Sequence, residues 1–149
     1  MIAIPGTSKF LVFGGFKWYN ESFKSWESYG DVLIFDVDTL VWDQVNTHGL
    51  FHQWWGHVST FIGKHVLVHG GFNHKGEKTD QIYALKLKNF TWIQCPVIGS
   101  GPGPISDHAC ASIYHPKHFG SNFGLFKWPD KLKKINTGVL IEGIYMFGG

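Results

Sequence analysis

Apolar and polar positions along the chain follow an order that repeats. Three apolar runs end in a double glycine, at residues 10–15, 65–71 and 144–149. After the first two, the same features recur: a variable polar segment, an aspartate that opens an apolar run, a short turn, and a run that contains a tryptophan. No window shows the sustained apolar spacing of three and four residues that marks an amphipathic helix. The pattern therefore predicts a repeat protein built of short β-strands.

Each repeat unit contains four types of predicted strand. The first type ends in the double glycine and is predicted at 9–13, 65–69 and 139–147. The second type opens with aspartate, at 31–37 and 80–87, and the third contains tryptophan, at 41–45 and 91–94. A further strand, led by histidine, begins at His57 and at His108. Residues 32–35 are apolar at successive positions, which indicates a strand that is covered on both faces.

The spacing of the repeats identifies one long insertion. The double glycines end at residues 15, 71 and 149, so the two intervals are 56 and 78 residues. The first interval fits a unit of about 50 residues, and the second needs additional chain. We assign the surplus to residues 116–138, which contain prolines and glycines, and we predict a long exposed loop there.

These residues resemble the kelch repeat family, whose unit is a histidine-led strand, an apolar strand ending in Gly-Gly, an aspartate-led strand and a tryptophan strand. The resemblance implies an all-β fold, a partial kelch β-propeller of about two and a half four-stranded antiparallel blades. It also implies that the double glycine ends the second strand and that the aromatic residue of the third strand packs with the tryptophan of the fourth. The residues of this structural motif are Gly14, Gly15, Phe35, Trp42, Gly70, Gly71, Tyr83, Trp92, Gly148 and Gly149.

Residues 1–149 are thus predicted to be one kelch-repeat region. We divide it into an incomplete blade at 1–48, a complete blade at 49–95, and an incomplete blade at 96–149 that carries the insertion at 116–138. Propellers close into rings of about four to eight blades, which cover each other's apolar faces. We therefore expect association with further blades, in a longer propeller or through a second chain. The arginine that often precedes the family's leading histidine is replaced by Trp54 and Ile105, so any role of that arginine is lost.

Composition and charge exclude several classes of partner. All 13 basic residues are lysine, and the absence of arginine argues against a protein that reads nucleic acid. No apolar stretch approaches the roughly 20 residues of a membrane-spanning helix, and residues 1–16 make a poor signal peptide. Cys95 and Cys110 are too few for a disulfide framework and are expected to stay reduced. We expect a cytoplasmic protein that binds neither nucleic acid nor a membrane.

The sequence contains no recognised catalytic or metal-binding pattern. Nine histidines invite a metal site. However, His65 and His69 lie four residues apart on a strand, about 13 Å at roughly 3.3 Å per residue, which is too far for one ion. Copper oxidases that resemble galactose oxidase need a cysteine cross-linked to a tyrosine, and no motif places either cysteine beside one. The iron-dependent specifier proteins of plants need glutamate, aspartate and histidine at regular spacing, whereas Glu77 and Asp80 have no third member. We expect no enzymatic activity and no cofactor.

Aromatic loops point instead to a protein-binding scaffold. Function in propellers lies on loops that a rigid scaffold displays, and tryptophan and tyrosine are favoured at binding hot spots. In the kelch arrangement, the loop between the second and third strands and the connection between blades emerge on one face. The predicted partner-binding residues are Trp18, Tyr19, Phe23, Trp26, His52, Trp54, Trp55, Asn73 and His74. The alternative is that these rings pack against neighbouring blades and the region is a purely structural segment of a larger propeller protein; the exposure of the rings distinguishes the two.

Overall fold

The computed structural model describes residues 1–49, 53–113 and 143–149. This part of the chain forms twelve strands and contains no α-helix. In chain order the strands are β1 (Ile2–Ala3), β2 (Lys9–Phe13), β3 (Phe16–Asn20), β4 (Ser25–Ser28), β5 (Val32–Asp36), β6 (Val41–Val45), β7 (Val58–Ile62), β8 (His65–His69), β9 (Ile82–Lys86), β10 (Thr91–Cys95), β11 (Ala109–Ile113) and β12 (Gly143–Phe147). The all-β prediction is confirmed. The insertion predicted at 116–138 lies outside the described residues.

The strands form two four-stranded antiparallel sheets and two two-stranded pairs. The first sheet has the order β1-β2-β5-β6, and the second has the order β7-β8-β9-β10. Strand β11 pairs with β12, and β3 pairs with β4. We call the two larger sheets the first and second blades and the β11–β12 pair the third-blade strands. These antiparallel four-stranded sheets are those expected of kelch blades.

The predicted strand positions agree closely with the observed ones. Strands β2, β6 and β8 have the predicted bounds. The aspartate-led strands begin after their aspartates, at Val32 and at Ile82. Strand β12 begins at Gly143 within the predicted range 139–147, whose first four residues lie outside the described part of the chain.

The segment between β2 and β5 forms a hairpin, so the prediction of a loop there was wrong. Tyr19 of β3 lies opposite Trp26 of β4, and the register shifts between Phe16 and Trp18, which marks a β-bulge. Aromatic residues on both sides of the turn favour strands. The turn itself uses Lys24 with a positive φ of 49°.

The hydrophobic core lies between the first and second blades. Side chains alternate across a strand, so Leu11, Phe13 and Val32 share one face of the first blade. That face packs on the second blade in a cluster of buried side chains. The cluster contains Leu11, Phe13, Val32, Trp54, Phe61, Val66, Val68, Tyr83, Leu85 and Trp92. Each such side chain contributes roughly 1.5–3 kcal/mol by leaving water, and this burial holds the two blades together.

Glycine is required where the first two double glycines approach the next blade. Gly14 and Gly70 have positive φ values of 68° and 69°. A Cβ atom on Gly14 would lie 2.7 Å from the carbonyl oxygen of Trp54, and one on Gly70 would collide with the carbonyl oxygen of Ile105. Both the backbone conformation and the close approach therefore demand glycine.

The opposite face of the first blade is apolar but only partly covered. Phe10, Val12, Leu33, Phe35 and Trp42 share this face because they are cross-strand partners or alternate neighbours. The rings of Phe35 and Trp42 lie 4.6 Å apart between centroids. Trp42 is nevertheless 55% exposed, because its face points away from the second blade.

The described contacts between the second blade and the third-blade strands include hydrogen bonds between polar side chains. The Thr60 hydroxyl donates to the Ser112 hydroxyl at 3.0 Å, and the Ser112 hydroxyl donates to the Phe61 carbonyl oxygen at 2.7 Å. The Gly71 N–H donates to the Ile105 carbonyl oxygen at 2.8 Å. Side-chain hydrogen bonds thus contribute to the described part of this junction.

Candidate partner-binding site

The β3–β4 hairpin is anchored to the second blade as well as to its own. The Trp26 N–H donates to the His74 carbonyl oxygen at 2.8 Å, and the Tyr29 N–H donates to the Gly15 carbonyl oxygen at 2.9 Å. The Gly15 N–H in turn donates to the Trp54 carbonyl oxygen at 3.0 Å. These backbone bonds fix the hairpin above the connection between the blades.

Five rings form a continuous aromatic cluster, and three of them are on the hairpin itself. The ring of Phe72 stacks on Trp55 with centroids 4.1 Å apart, and Trp55 lies 5.9 Å from Trp26. Tyr19 lies 4.8 Å from Trp26. The ring of Phe16 reaches both Trp26 and Trp55, at 5.5 and 5.4 Å. Such tilted and stacked pairs are favourable beyond the area they bury, so the cluster makes a firm base for the hairpin.

Asn73 shapes the turn on which the hairpin rests. Its side-chain oxygen accepts the N–H groups of Lys75 and Glu77 at 2.9 and 3.0 Å, and its amide nitrogen donates to the Glu77 carboxylate at 3.0 Å. The turn brings Gly76 against the Trp26 indole, where a Cβ atom would not fit. The side chain of Asn73 is thus engaged within the turn, and His74 holds the hairpin through its backbone.

Four side chains project from the hairpin as an exposed surface, which we call the hairpin surface: Phe16, Trp18, Tyr19 and Phe23. Trp18 is 55% exposed and Phe23, at the tip, is 80% exposed. The side chain of Asn20 accepts the N–H groups of Ser22 and Phe23 at 3.1 and 3.2 Å, which orders the tip. Trp18 points to the opposite side of the hairpin from Tyr19, since neighbours on a strand alternate.

Two comparisons with known proteins bear on this arrangement. The chain matches the KLHDC2/KLHL20/DRC7 Kelch-repeats domain over residues 1–126. The chain belongs to the kelch-repeat family. Residues of this kelch chain are also 33% identical to acyl-CoA-binding domain-containing protein 4 of Arabidopsis thaliana over 94 residues, which is 62% of the chain and 14% of that relative. Acyl-CoA-binding domain-containing protein 5 of the same plant is 33% identical over 81 residues, 54% of the chain and 12% of that relative.

The kelch chain covers only a small part of either relative, so their whole-protein activities are not transferred to it. Kelch repeats generally serve as non-enzymatic scaffolds that mediate protein–protein interaction. In the described residues, no group of three histidine, cysteine or acidic side chains could hold a metal ion. Over the same residues no helix is long and apolar enough to span a membrane.

The predicted partner-binding residues separate into several environments. Trp54 lies in the core at 2% exposure, with its ring 4.6 Å from Tyr83, so the prediction of a partner contact there is replaced by a packing role. Trp26 and Trp55 are half-buried in the aromatic cluster. His52 lies outside the described residues. The remaining aromatic residues of the set lie on the hairpin surface.

Two further residues, which the sequence pattern did not single out, belong to the site. Phe16 contributes to the hairpin surface, and Phe72 stacks beneath it. Each directly follows a double glycine, after Gly15 and after Gly71. That shared position in the repeat is the signal that would have identified them.

Three histidines with lowered pKa values lie at the blade junctions: His57, His69 and His108. Burial lowers the pKa of His57 to about 4. Burial also lowers the pKa values of His69 and His108. Cys95 and Cys110 are free, and burial raises the pKa of both thiols.

Proposed function

We propose that this kelch chain is a non-catalytic protein-interaction module that binds a protein partner through the hairpin surface. The observation that carries this proposal is the exposure of Trp18 and Phe23 on a hairpin that is ordered and anchored. Large aromatic side chains held exposed on an ordered element are candidates for a protein contact, because tryptophan is enriched at binding hot spots. Membership of the kelch-repeat family supports an interaction role, since these repeats generally act as scaffolds.

The aromatic cluster explains how such a surface gives useful affinity. Trp26, Trp55 and Phe72 fix the hairpin before any partner arrives, so little conformational entropy is lost on binding. Tryptophan and tyrosine bury much area with few rotatable bonds, and such anchors dominate interface energetics. The support is thus formed by Trp26, Trp55 and Phe72, and the contact by the hairpin surface, whose Phe16 and Tyr19 rings rest on Trp26.

Alanine substitutions on the hairpin test the proposal. Trp18→Ala and Phe23→Ala should each weaken the binding of a partner by about 2 kcal/mol or more. Both should leave the unfolding midpoint of the chain nearly unchanged. The matched control is Ile98→Ala, because Ile98 is 99% exposed and lies away from the hairpin in sequence. Proteins that the tagged wild-type chain retains from a cell extract are quantified against those that each variant retains.

Each result of this experiment has a defined meaning. Loss of the same protein from both hairpin variants, with the Ile98 variant unaffected, supports the proposal. Equal retention by all chains contradicts it. A fall in the unfolding midpoint for Trp18→Ala and Phe23→Ala with no change in retained proteins shows that the rings serve packing alone.

A second candidate role, as a structural segment that packs against further blades, is favoured by the first blade's outer face. Phe10, Leu33, Phe35 and Trp42 form an apolar surface there, and Trp42 is largely exposed. Trp42→Lys should abolish association of the chain, measured as a shift in sedimentation coefficient. A monomer that sediments identically with and without the substitution contradicts this role.

A further inference from the structure

The residue before the double glycine contacts the leading histidine of the next blade at both junctions. At the first junction, Phe13 stacks on His57 with ring centroids 5.3 Å apart and planes inclined by 10°. At the second, His69 occupies the position of Phe13, and its Nδ1 atom lies 3.1 Å from Nε2 of His108. The same position of the repeat therefore makes an aromatic stack at the first junction and a histidine–histidine hydrogen bond at the second.

The closed second junction requires a particular protonation state. Both rings are buried, and Nδ1 of His108 has no hydrogen-bond partner among the described residues. A hydrogen bond between the two imidazoles uses one N–H donor and one bare nitrogen acceptor. If both rings were protonated, neither facing nitrogen could accept, and two positive charges would lie in contact.

Among the described residues, the second junction also buries fewer large apolar side chains than the first. The first is a cluster of buried apolar side chains, whereas the second is joined by polar contacts such as Thr60 to Ser112. Elements with few buried apolar contacts open at lower cost than the global core. The third-blade strands can therefore separate from the second blade while the first junction stays closed.

We propose that His69 and His108 form a pH-sensitive latch between the second blade and the third-blade strands, closed while the pair is neutral and released as the junction takes up protons. The closed state resists protonation, and the open state exposes both rings to water. Acid therefore favours the open state, by up to about tenfold per pH unit for each proton taken up. The pKa values of both rings are lowered by burial, and that of His69 is lowered further by His108, in agreement with this direction.

Two acidic residues near the pair raise the pKa values of the rings, and this acts against the effect of burial. Asp80 raises the pKa of His69, and Asp107 raises that of His108, yet burial is the larger effect on both. His69 and Asp80 line a cavity of about 570 Å³, which Cys95 of β10 also lines. The cavity gives protons a route to the buried ring.

Hydrogen exchange of the backbone amides tests the latch in the intact chain. Protection of residues 109–113 and of residues 65–69 is measured between pH 7.5 and 5 and corrected for the intrinsic exchange rate. In the wild-type chain, opening at residues 109–113 should rise by more than about tenfold across this range. Residues 65–69 should lose protection less steeply, because the apolar cluster holds β8.

Variants at the pair assign the effect to it. His69→Phe installs the ring of the first junction and should reduce the pH slope at residues 109–113 to that of one proton or less. His48→Gln, which removes an exposed histidine away from the junction, should keep the wild-type slope. If a variant at His69 does not fold, the wild-type profile alone still decides: protection at residues 109–113 that is independent of pH overturns the latch. An unchanged slope in a folded His69→Phe chain also overturns it.

Discussion

The first and second blades follow one sequence pattern and yet differ at three equivalent positions. The tryptophan of the fourth strand is 55% exposed as Trp42 and 3% exposed as Trp92. The segment after the double glycine is an aromatic hairpin in the first blade and a tight turn around Asn73 in the second. The residue before the double glycine is Phe13 in one blade and His69 in the other. The pattern sets the strands, and what lies beside each blade decides what a given residue does.

The two tryptophans show this most clearly. Trp92 packs in the core between the blades, with its ring 5.6 Å from that of Phe13. Trp42 has the same place in its own blade but turns toward a face that no described blade covers. Burial thus follows from the neighbouring sheet and not from the residue type.

The largest expected effect is therefore a difference between equivalent tryptophans. Trp92→Ala should lower the free energy of unfolding by about 3–5 kcal/mol, because it opens a cavity in the core. Trp42→Ala should cost only about 1 kcal/mol, because the ring is more than half exposed and loses mainly its contact with Phe35. Urea denaturation of the two variants measures both values. Equal losses would contradict the assignment of the two faces.

Most of the strands could be predicted from the sequence, and the environment of individual residues could not. The double glycines, aspartates and tryptophans mark strands locally, so β2, β6 and β8 have their predicted bounds. The burial of Trp54 and the exposure of Trp42 depend on contacts between blades, which a single repeat does not encode. The hairpin was not predicted because the repeat pattern has a loop between the second and third strands, although the β-propensity of Trp18 and Tyr19 is high.

Equivalent glycines give the next comparison. Gly70→Ala should cost about 3 kcal/mol, since positive φ costs an L-residue roughly 1–2 kcal/mol and the new Cβ also meets the Ile105 carbonyl. Gly148→Ala should cost only the conformational part, because nothing in the described structure lies within 4 Å of a Cβ atom there. Thermal unfolding of the two variants checks the order. A Gly148 variant as unstable as the Gly70 variant would contradict the close approach at the junction.

The burial of His57 predicts that the free energy of unfolding depends on pH, with a smaller effect than that of Gly70→Ala. The pKa of His57 is about 4 in the folded chain and about 6.5 when unfolded, so only the unfolded chain binds the proton between these values. Stability is therefore greatest above pH 6.5 and falls as the pH drops toward 4, by roughly 2 kcal/mol at pH 5. Denaturation at pH 7, 6 and 5 measures the loss, and His57→Gln should remove part of it. A wild-type chain equally stable at pH 7 and pH 5 would contradict the burial of this ring.

The smallest expected effect on stability comes from the hairpin surface. Phe23→Ala should change the free energy of unfolding by no more than about 0.5 kcal/mol, since the ring is 80% exposed. Trp55→Ala should cost about 1–3 kcal/mol, because Trp55 joins the hairpin rings to Phe72. Thermal melts of the pair separate the contact surface from its support. A larger loss for Phe23→Ala than for Trp55→Ala would reverse these roles.

A photo-cross-linking measurement tests the central claim, that the first blade's hairpin is the partner-binding element. A benzophenone amino acid is placed at residue 18, at residue 23 or at residue 98, and each chain is irradiated in the same cell extract. The account predicts a common protein adduct from positions 18 and 23 and its absence from position 98. Adducts of equal yield at all three positions, or an adduct at position 98 alone, would contradict it.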